Sequence, residues 1–148
     1  MYLLDTNHCS RITNGDIQLI KQLQAYTGMG VATNAIVRGE LIYMAEKSQK
    51  RIENLRKIQE FLANIDLYPT DEETADIYGQ LKAAIYAQFA PKDKSKHRGI
   101  KINELGFSDN DIWITATALQ YNLTIVSADS DFTRMQSVKA FPLENWCN

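Results

Sequence analysis

The stretch Ser108–Phe132, SDNDIWITATALQYNLTIVSADSDF, holds two structural elements and two clusters of acids. Ser108 is a helix-cap residue, and Asp109 and Asp111 suit the positive first turn of a helix. Ile112, Ala116 and Leu119 then recur at helical spacing as far as about Tyr121, with Trp113 beside them. Leu123–Ser127 reads as a short buried strand that runs out into Ala128-Asp129-Ser130-Asp131. A helix followed by an apolar strand is one unit of an α/β sheet, and in such sheets ligands gather beyond the carboxyl ends of the strands. Two carboxylate clusters at element ends therefore predict half of a polar pocket.

The other half comes from the beginning of the chain. Tyr2-Leu3-Leu4 fits a buried central strand and stops at Asp5-Thr6-Asn7, where Thr6 or Asn7 is the expected cap of a short helix carrying Ser10. A lone Asp directly after a buried strand has no packing role. Asn14-Gly15 predicts a turn, and Asp16 opens a helix to about Tyr26 with Ile17, Ile20 and Leu23 inward. Val31-Ala32-Thr33 reads as a second strand. Asn34 caps a helix from Ala35 to about Ser48 with Ile36, Leu41 and Met44 inward and Glu40 in its second turn. Glutamates on helices are commonly solvated, so Glu40 draws notice only through its context.

Lys50–Ala63 is a further helix, with Ile52, Leu55, Ile58 and Leu62 as one stripe, and packs on the previous helix as a hairpin. Ile65–Tyr68 is a third strand. Thr70 or Asp71 caps a helix to about Phe89 with Ala75, Tyr78, Leu81 and Ile85 inward. Val138–Phe141 is the expected edge strand, with Leu143 and Trp146 tucking the last residues down. Strands alternating with helices predict a parallel, doubly wound sheet.

The bulk numbers narrow the function. A chain of 148 residues predicts one domain over 1–148, with 45% apolar and 23% charged residues, as in ordinary globular proteins. No apolar run approaches the roughly 18 residues of a membrane span, and MYLLDTNHCS has no signal-peptide character. A cytoplasmic location and no membrane partner are expected. Cys9 and Cys147 form neither a metal-ligand spacing nor a disulfide framework. The net charge of −2 gives no global attraction to nucleic acid, so RNA binding must use a local patch. Residues 91–102, PKDKSKHRGIKI, supply five Lys or Arg against one acid. Lys94, Lys96 and Arg98 are the candidates there, against the plainer reading of a solvated loop.

Asp5 and Asp129 follow strands at the ligand-binding edge, Asp111 and Asp109 open a helix there, and Glu40 joins if its helix passes beside the first strand. Such crowding raises carboxylate pKa values, and a divalent cation relieves it. All-oxygen donors fit Mg²⁺ or Mn²⁺ and argue against zinc. Thr6, Asn7 and Ser127 can orient the acids. Asp109 and Asp131 are ordinary capping or loop acids when taken singly. A cation of this kind activates water for in-line attack on a phosphodiester.

LLDTN with Ser10, Gly39-Glu40-Leu41, NDIWITATAL and IVSADSDF stand in the order and spacing of a PIN domain. Across nearly its full length the chain resembles the VapC-type ribonuclease toxins of toxin–antitoxin modules. The resemblance implies a PIN-like three-layer α/β/α domain with a central, mostly parallel sheet. It also implies metal-dependent endoribonuclease activity, a homodimer, and neutralisation by a VapB-type antitoxin, with the helices of Ala35–Ala63 offering it apolar surface. Carried over by position, the catalytic acids are Asp5, Glu40, Asp111 and Asp129. Asp5, Asp111 and Asp129 hold metal, and Glu40 holds metal or orients water. Asp111 takes its place because it follows Asn110, and Thr6 matches the hydroxyl beside the first acid. Two departures stand out: WITATAL brings Trp113 and Thr115 near the site, and Asp131 is a spare acid beside Asp129. The alternative is a PIN-like RNA-binding or interaction module without nuclease activity, against which the complete acid set argues. A phosphoacceptor receiver would need an acidic pair after the first strand and a late lysine, and the chain has neither.

Overall fold

Strand β1 (Tyr2–Leu4) has to be buried from both sides, because Leu3 and Leu4 point to opposite faces and neither has exposed surface. Ile125 and Val126 in β4 (Thr124–Val126) repeat the pattern. Helices therefore cover both faces of the sheet, the three-layer α/β/α arrangement expected. This computed structural model describes residues 1–93, 95 and 98–147. Among them the sheet has five strands in the order β3-β2-β1-β4-β5, with β2 at Val31–Asn34, β3 at Asp66–Tyr68 and β5 at Leu143–Glu144. Each strand pairing is parallel, with Leu3 opposite Ala32 on one side and Ile125 on the other.

The winding places the site. From β1 the chain moves outward to β2 and β3, then returns to the opposite side of β1 for β4 and β5. The crevice of an open parallel sheet forms where the winding reverses, beyond the carboxyl ends of β1 and β4. Asp5 and Ser127 are the first residues past those ends, and Asp5 N donates to Val126 O at 3.2 Å. The connecting helices are α1 (Thr6–Thr13), α2 (Ile17–Tyr26), α3 (Ala35–Glu46), α4 (Arg51–Ala63), α5 (Glu72–Phe89), α6 (Asp109–Tyr121) and α7 (Ser130–Gln136). The α3–α4 hairpin forms as expected, and α5 packs along α6.

Caps follow side-chain chemistry with two differences from expectation. Asn34 caps α3 through Val37 N at 2.9 Å, and Asp71 caps α5 in a reciprocal box with Thr74. Asp5 itself, not Thr6 or Asn7, caps α1. Ser108 precedes α6 without a side-chain cap bond, leaving Asp109 and Asp111 to meet the helix dipole.

The edge strand is also displaced, from Val138–Phe141 to Leu143–Glu144. Val138 N and Lys139 N are spent on Met135 O in closing α7, and Gln136 donates to Phe141 O. Those groups cannot build a ladder, whereas Pro142 O accepts from Ile125 N and Glu144 O from Ser127 N. Helix α7 was not anticipated from sequence. It is short, and its buried residues are Phe132 and Met135. Some expected faces also rotate: Val37, Leu41 and Ala45 face the core from α3 while Met44 is exposed, and Ile17, Ile52 and Ala75 face solvent.

Candidate active site

Asp5 is nearly fully buried at the start of α1, a position a carboxylate keeps only with hydrogen bonds. Its Oδ1 accepts from His8 N at 2.8 Å and faces His8 Nδ1 at 3.0 Å, while Oδ2 accepts from Ser127 Oγ. The same Ser127 hydroxyl accepts from Asp129 N at 3.0 Å, so one serine joins the ends of β1 and β4. Asp129 caps α7 through Asp131 N at 2.9 Å and is exposed. Asp131 lies against Arg134, whose Nη1 is 3.4 Å away. Arg134 also donates to Leu105 O and Gly106 O and covers the rings of Phe107 and Phe89. Gly106 takes a left-handed conformation, φ 84°, and a Cβ there would lie 2.8 Å from the guanidinium.

Asp111 stands in the first turn of α6, and one carboxylate oxygen each from Asp111, Asp129 and Asp131 lie within 4.8 Å of one another. Burial first, and then the charges of Asp129, Asp5, Glu40 and Asp131, push the Asp111 carboxyl up from 3.8 to about 7. Burial likewise raises Glu40, with Asp5 adding to the effect and Thr6 and Asn110 opposing it. Asp131 is raised by burial and by Asp129, and Arg134 offsets part of this. Five carboxylates from the ends of β1 and β4 and from α3, α6 and α7 thus share one electrostatic neighbourhood.

Thr6 and Asn110 lie against the Glu40 carboxylate, close enough to lower its pKa, but Thr6 Oγ1 and Glu40 Oε1 form no well-aligned hydrogen bond among the described residues. Excess negative charge and an all-oxygen donor set, with oxygens of Asp111, Asp129 and Asp131 within 4.8 Å of one another, fit a hard divalent cation.

The remaining expectations divide. Ser127 is placed between two of the acids, and Thr6 lies beside Glu40. Asn7 is exposed on the first turn of α1. Asp109 turns away toward α5, where Tyr78 Oη donates to it at 2.5 Å and Lys82 Nζ at 3.1 Å. Trp113 stacks on Tyr78 with ring centroids 3.8 Å apart, and Thr115 donates to Asp111 O. Both departures in WITATAL therefore serve the α5–α6 contact and the helix itself. Arg98 is exposed, and Lys94 and Lys96 lie outside the described residues. Sequence reasoning missed His8 and gave Asn110 no role beside Glu40. For His8 a signal existed: Asp-x-x-His places an imidazole one helical turn beyond a capping carboxylate.

Comparison with known proteins gives the family. Residues 2–138 match the family model described as PIN domain. The chain is 24% identical to Ribonuclease VapC2 of Rickettsia felis over 99% of this chain and 98% of that protein. It is 33% identical to the tRNA(fMet)-specific endonuclease VapC of Shigella flexneri over 61% of this chain and 68% of that one. Among solved structures it superposes on a chain of DNA-bound VapBC from Salmonella typhimurium with a TM-score of 0.81 and 23% identity, covering 99% and 98% of the two chains. The family match over residues 2–138, with full-length similarity to a VapC ribonuclease, makes this chain a member of the PIN domain family, related to the VapC ribonucleases.

Proposed function

We propose that this chain is the toxin of a VapBC pair, an endoribonuclease that depends on Mg²⁺ or Mn²⁺ and is silenced by a VapB-type antitoxin. The observation that carries the reading is the crowding of Asp129, Asp5, Glu40 and Asp131 around Asp111, with one oxygen each of Asp111, Asp129 and Asp131 within 4.8 Å of one another. Asp5, Asp111 and Asp129 would hold the cation, with Asp131 next to them. When bound, the cation supplies Lewis acidity toward a phosphate oxygen and a water acidic enough to attack phosphorus.

The chain's own groups do the rest. Asp111 keeps a proton to about pH 7 on its own, so loading the site and releasing that proton are one event. Glu40, raised by burial, is suited to orient the attacking water through Oε1 and take its proton. Ser127 keeps the carboxylate of Asp5 and the backbone of Asp129 in register. A cleft of about 770 Å³ lined by Lys82, Tyr86, Gly99 and Lys101 reaches the start of α6 at Ser108 and Asp109, and its lysines are suited to phosphates of an RNA. Lys94 and Lys96 belong to the same basic segment. Antitoxin binding is supported by VapBC among the superposed structures and by apolar surface on α3 and α4, where Tyr43 and Ile52 are 65% and 80% exposed. A homodimer and a cytoplasmic location complete the reading. Among the described residues no helix is long and apolar enough to cross a membrane.

The test is cleavage of structured RNA by protein freed of antitoxin. Transfer RNA is the first substrate to try, given the name of the Shigella relative. Activity should need Mg²⁺ or Mn²⁺, disappear with EDTA, and fall at least about a hundredfold in Asp5→Asn and Asp111→Asn. Unsubstituted protein that cuts no faster than these variants removes the enzymatic reading and favours an RNA-binding module.

A further inference from the structure

His8 is fully buried, yet the proposed chemistry does not use it. Its backbone N–H and its Nδ1 meet the same atom, Asp5 Oδ1, at 2.8 and 3.0 Å. A ring N–H at Nδ1 donates to that oxygen alongside the backbone N–H. On the other side of the ring, Cys147 Sγ lies 3.4 Å from Nε2. Arg11, on the next turn of α1, brings Nη1 to 2.8 Å from that sulfur and Nε to 3.0 Å from Asp16. The imidazole is therefore gripped at both nitrogens, by the first site carboxylate and by a side chain near the other end of the chain.

A carboxylate oxygen has about two lone-pair sites. On Oδ1 both are taken by His8. On Oδ2 one is taken by Ser127 and one is left. We infer that His8 is a positioning residue that fixes Asp5 so that it offers a cation one oxygen, Oδ2, in one orientation. The plainer alternative is a core histidine that happens to be satisfied. That role would contribute to stability and leave cation affinity alone, whereas partners that orient a metal ligand change affinity itself. The inference rests on the proposed role of Asp5 as a metal ligand.

The experiment measures Mn²⁺ binding to the full chain, without RNA or antitoxin, from the electron paramagnetic resonance signal of free Mn²⁺. Thermal melts confirm that each variant is folded at the temperature used. His8→Asn keeps a donor where Nδ1 stands and should bind within about threefold of the unsubstituted protein. His8→Leu fills the space without a donor and should bind about tenfold to a hundredfold more weakly. His8→Gln places its amide toward Cys147 and away from Asp5, so it should fall with the Leu variant and carries the comparison if Leu does not fold. Leu or Gln variants that are folded and bind Mn²⁺ like the unsubstituted protein overturn the role of His8. An Asp5→Asn variant that binds as well as the unsubstituted protein overturns the role of Asp5 as well.

Discussion

Replacing Asp111 by Asn should make the cation-free protein more stable at pH 8, although it removes a proposed cation ligand. Asp111 titrates at about 7 when folded, against an ordinary 3.8, because burial and four neighbouring carboxylates oppose its charge. Between these values the folded state holds a proton that the unfolded state has lost. The stability Asp111 contributes is therefore fully present below about pH 4 and is lost as pH rises through about 7. At roughly 1.4 kcal/mol per pKa unit, its charge costs about 4 kcal/mol at pH 8 and under about 2 kcal/mol at pH 5. Asn is never charged, so its advantage should shrink by about 2–3 kcal/mol between pH 8 and pH 5. For a chain of 148 residues that is roughly 6–9 °C in melting temperature. The assay is paired melts in EDTA at both pH values, repeated with excess Mn²⁺ at pH 8. Mn²⁺ should reverse the order, because the unsubstituted protein, with all its proposed ligands, gains more binding energy than the variant. A variant no more stable than its parent at pH 8 in EDTA, or equally more stable at both pH values, would refute the crowding of charge on which this reasoning rests.

Three further substitutions probe the surroundings. Ser127→Ala leaves Asp129 N unpaired and Asp5 Oδ2 one bond poorer, and should cost about 1–3 kcal/mol in urea denaturation; an unchanged midpoint would show that the two strand ends are not joined through this hydroxyl. Arg134→Met keeps apolar contact with Phe107 but frees Leu105 O and Gly106 O, so stability should fall by about 2 kcal/mol and amide exchange should rise around residues 102–107. Uniform exchange across the chain would argue against a local role for the guanidinium. Asp109→Asn breaks a half-exposed ion pair with Lys82 worth less than about 1 kcal/mol, and RNA cleavage should stay within twofold; a loss as large as that of Asp111→Asn would put Asp109 back in the pocket.

The strands and most helices could be read from sequence because their signals are local. Leu3 and Leu4 are apolar on successive positions, and Asn34 and Asp71 sit where a cap must. Failures came where neighbours redirected the backbone. Val138 and Phe141 have strand-like side chains, but the amide of Val138 and the carbonyl of Phe141 are claimed by α7, so the pairing moved to Leu143–Glu144. Periodicity puts Met44 and Ile52 on the inward stripes of α3 and α4, whereas Leu41, Ala45 and Ile58 are the residues the packed hairpin buries. Periodicity identifies an apolar stripe, and tertiary packing decides which edge of it is covered.

The site divides along the same line. Three acids were legible because an Asp directly after a buried strand, or in the first turn of a helix, has few reasons to be there; Glu40 joined them only through the resemblance to PIN domains. What each acid does was not legible, since proton affinity depends on neighbours far apart in sequence: Asp111 is held near 7 by residues from 5 to 131. Asp109 and Asp111 are two residues apart on one helix, yet Tyr78 and Lys82 satisfy the first while the second stays in the crowd. His8 lay further out of reach, because its imidazole matters through contacts with Asp5 on one side and Cys147 on the other. Residue type and spacing can place a carboxylate at a strand end; only the fold shows which of its lone pairs remain open.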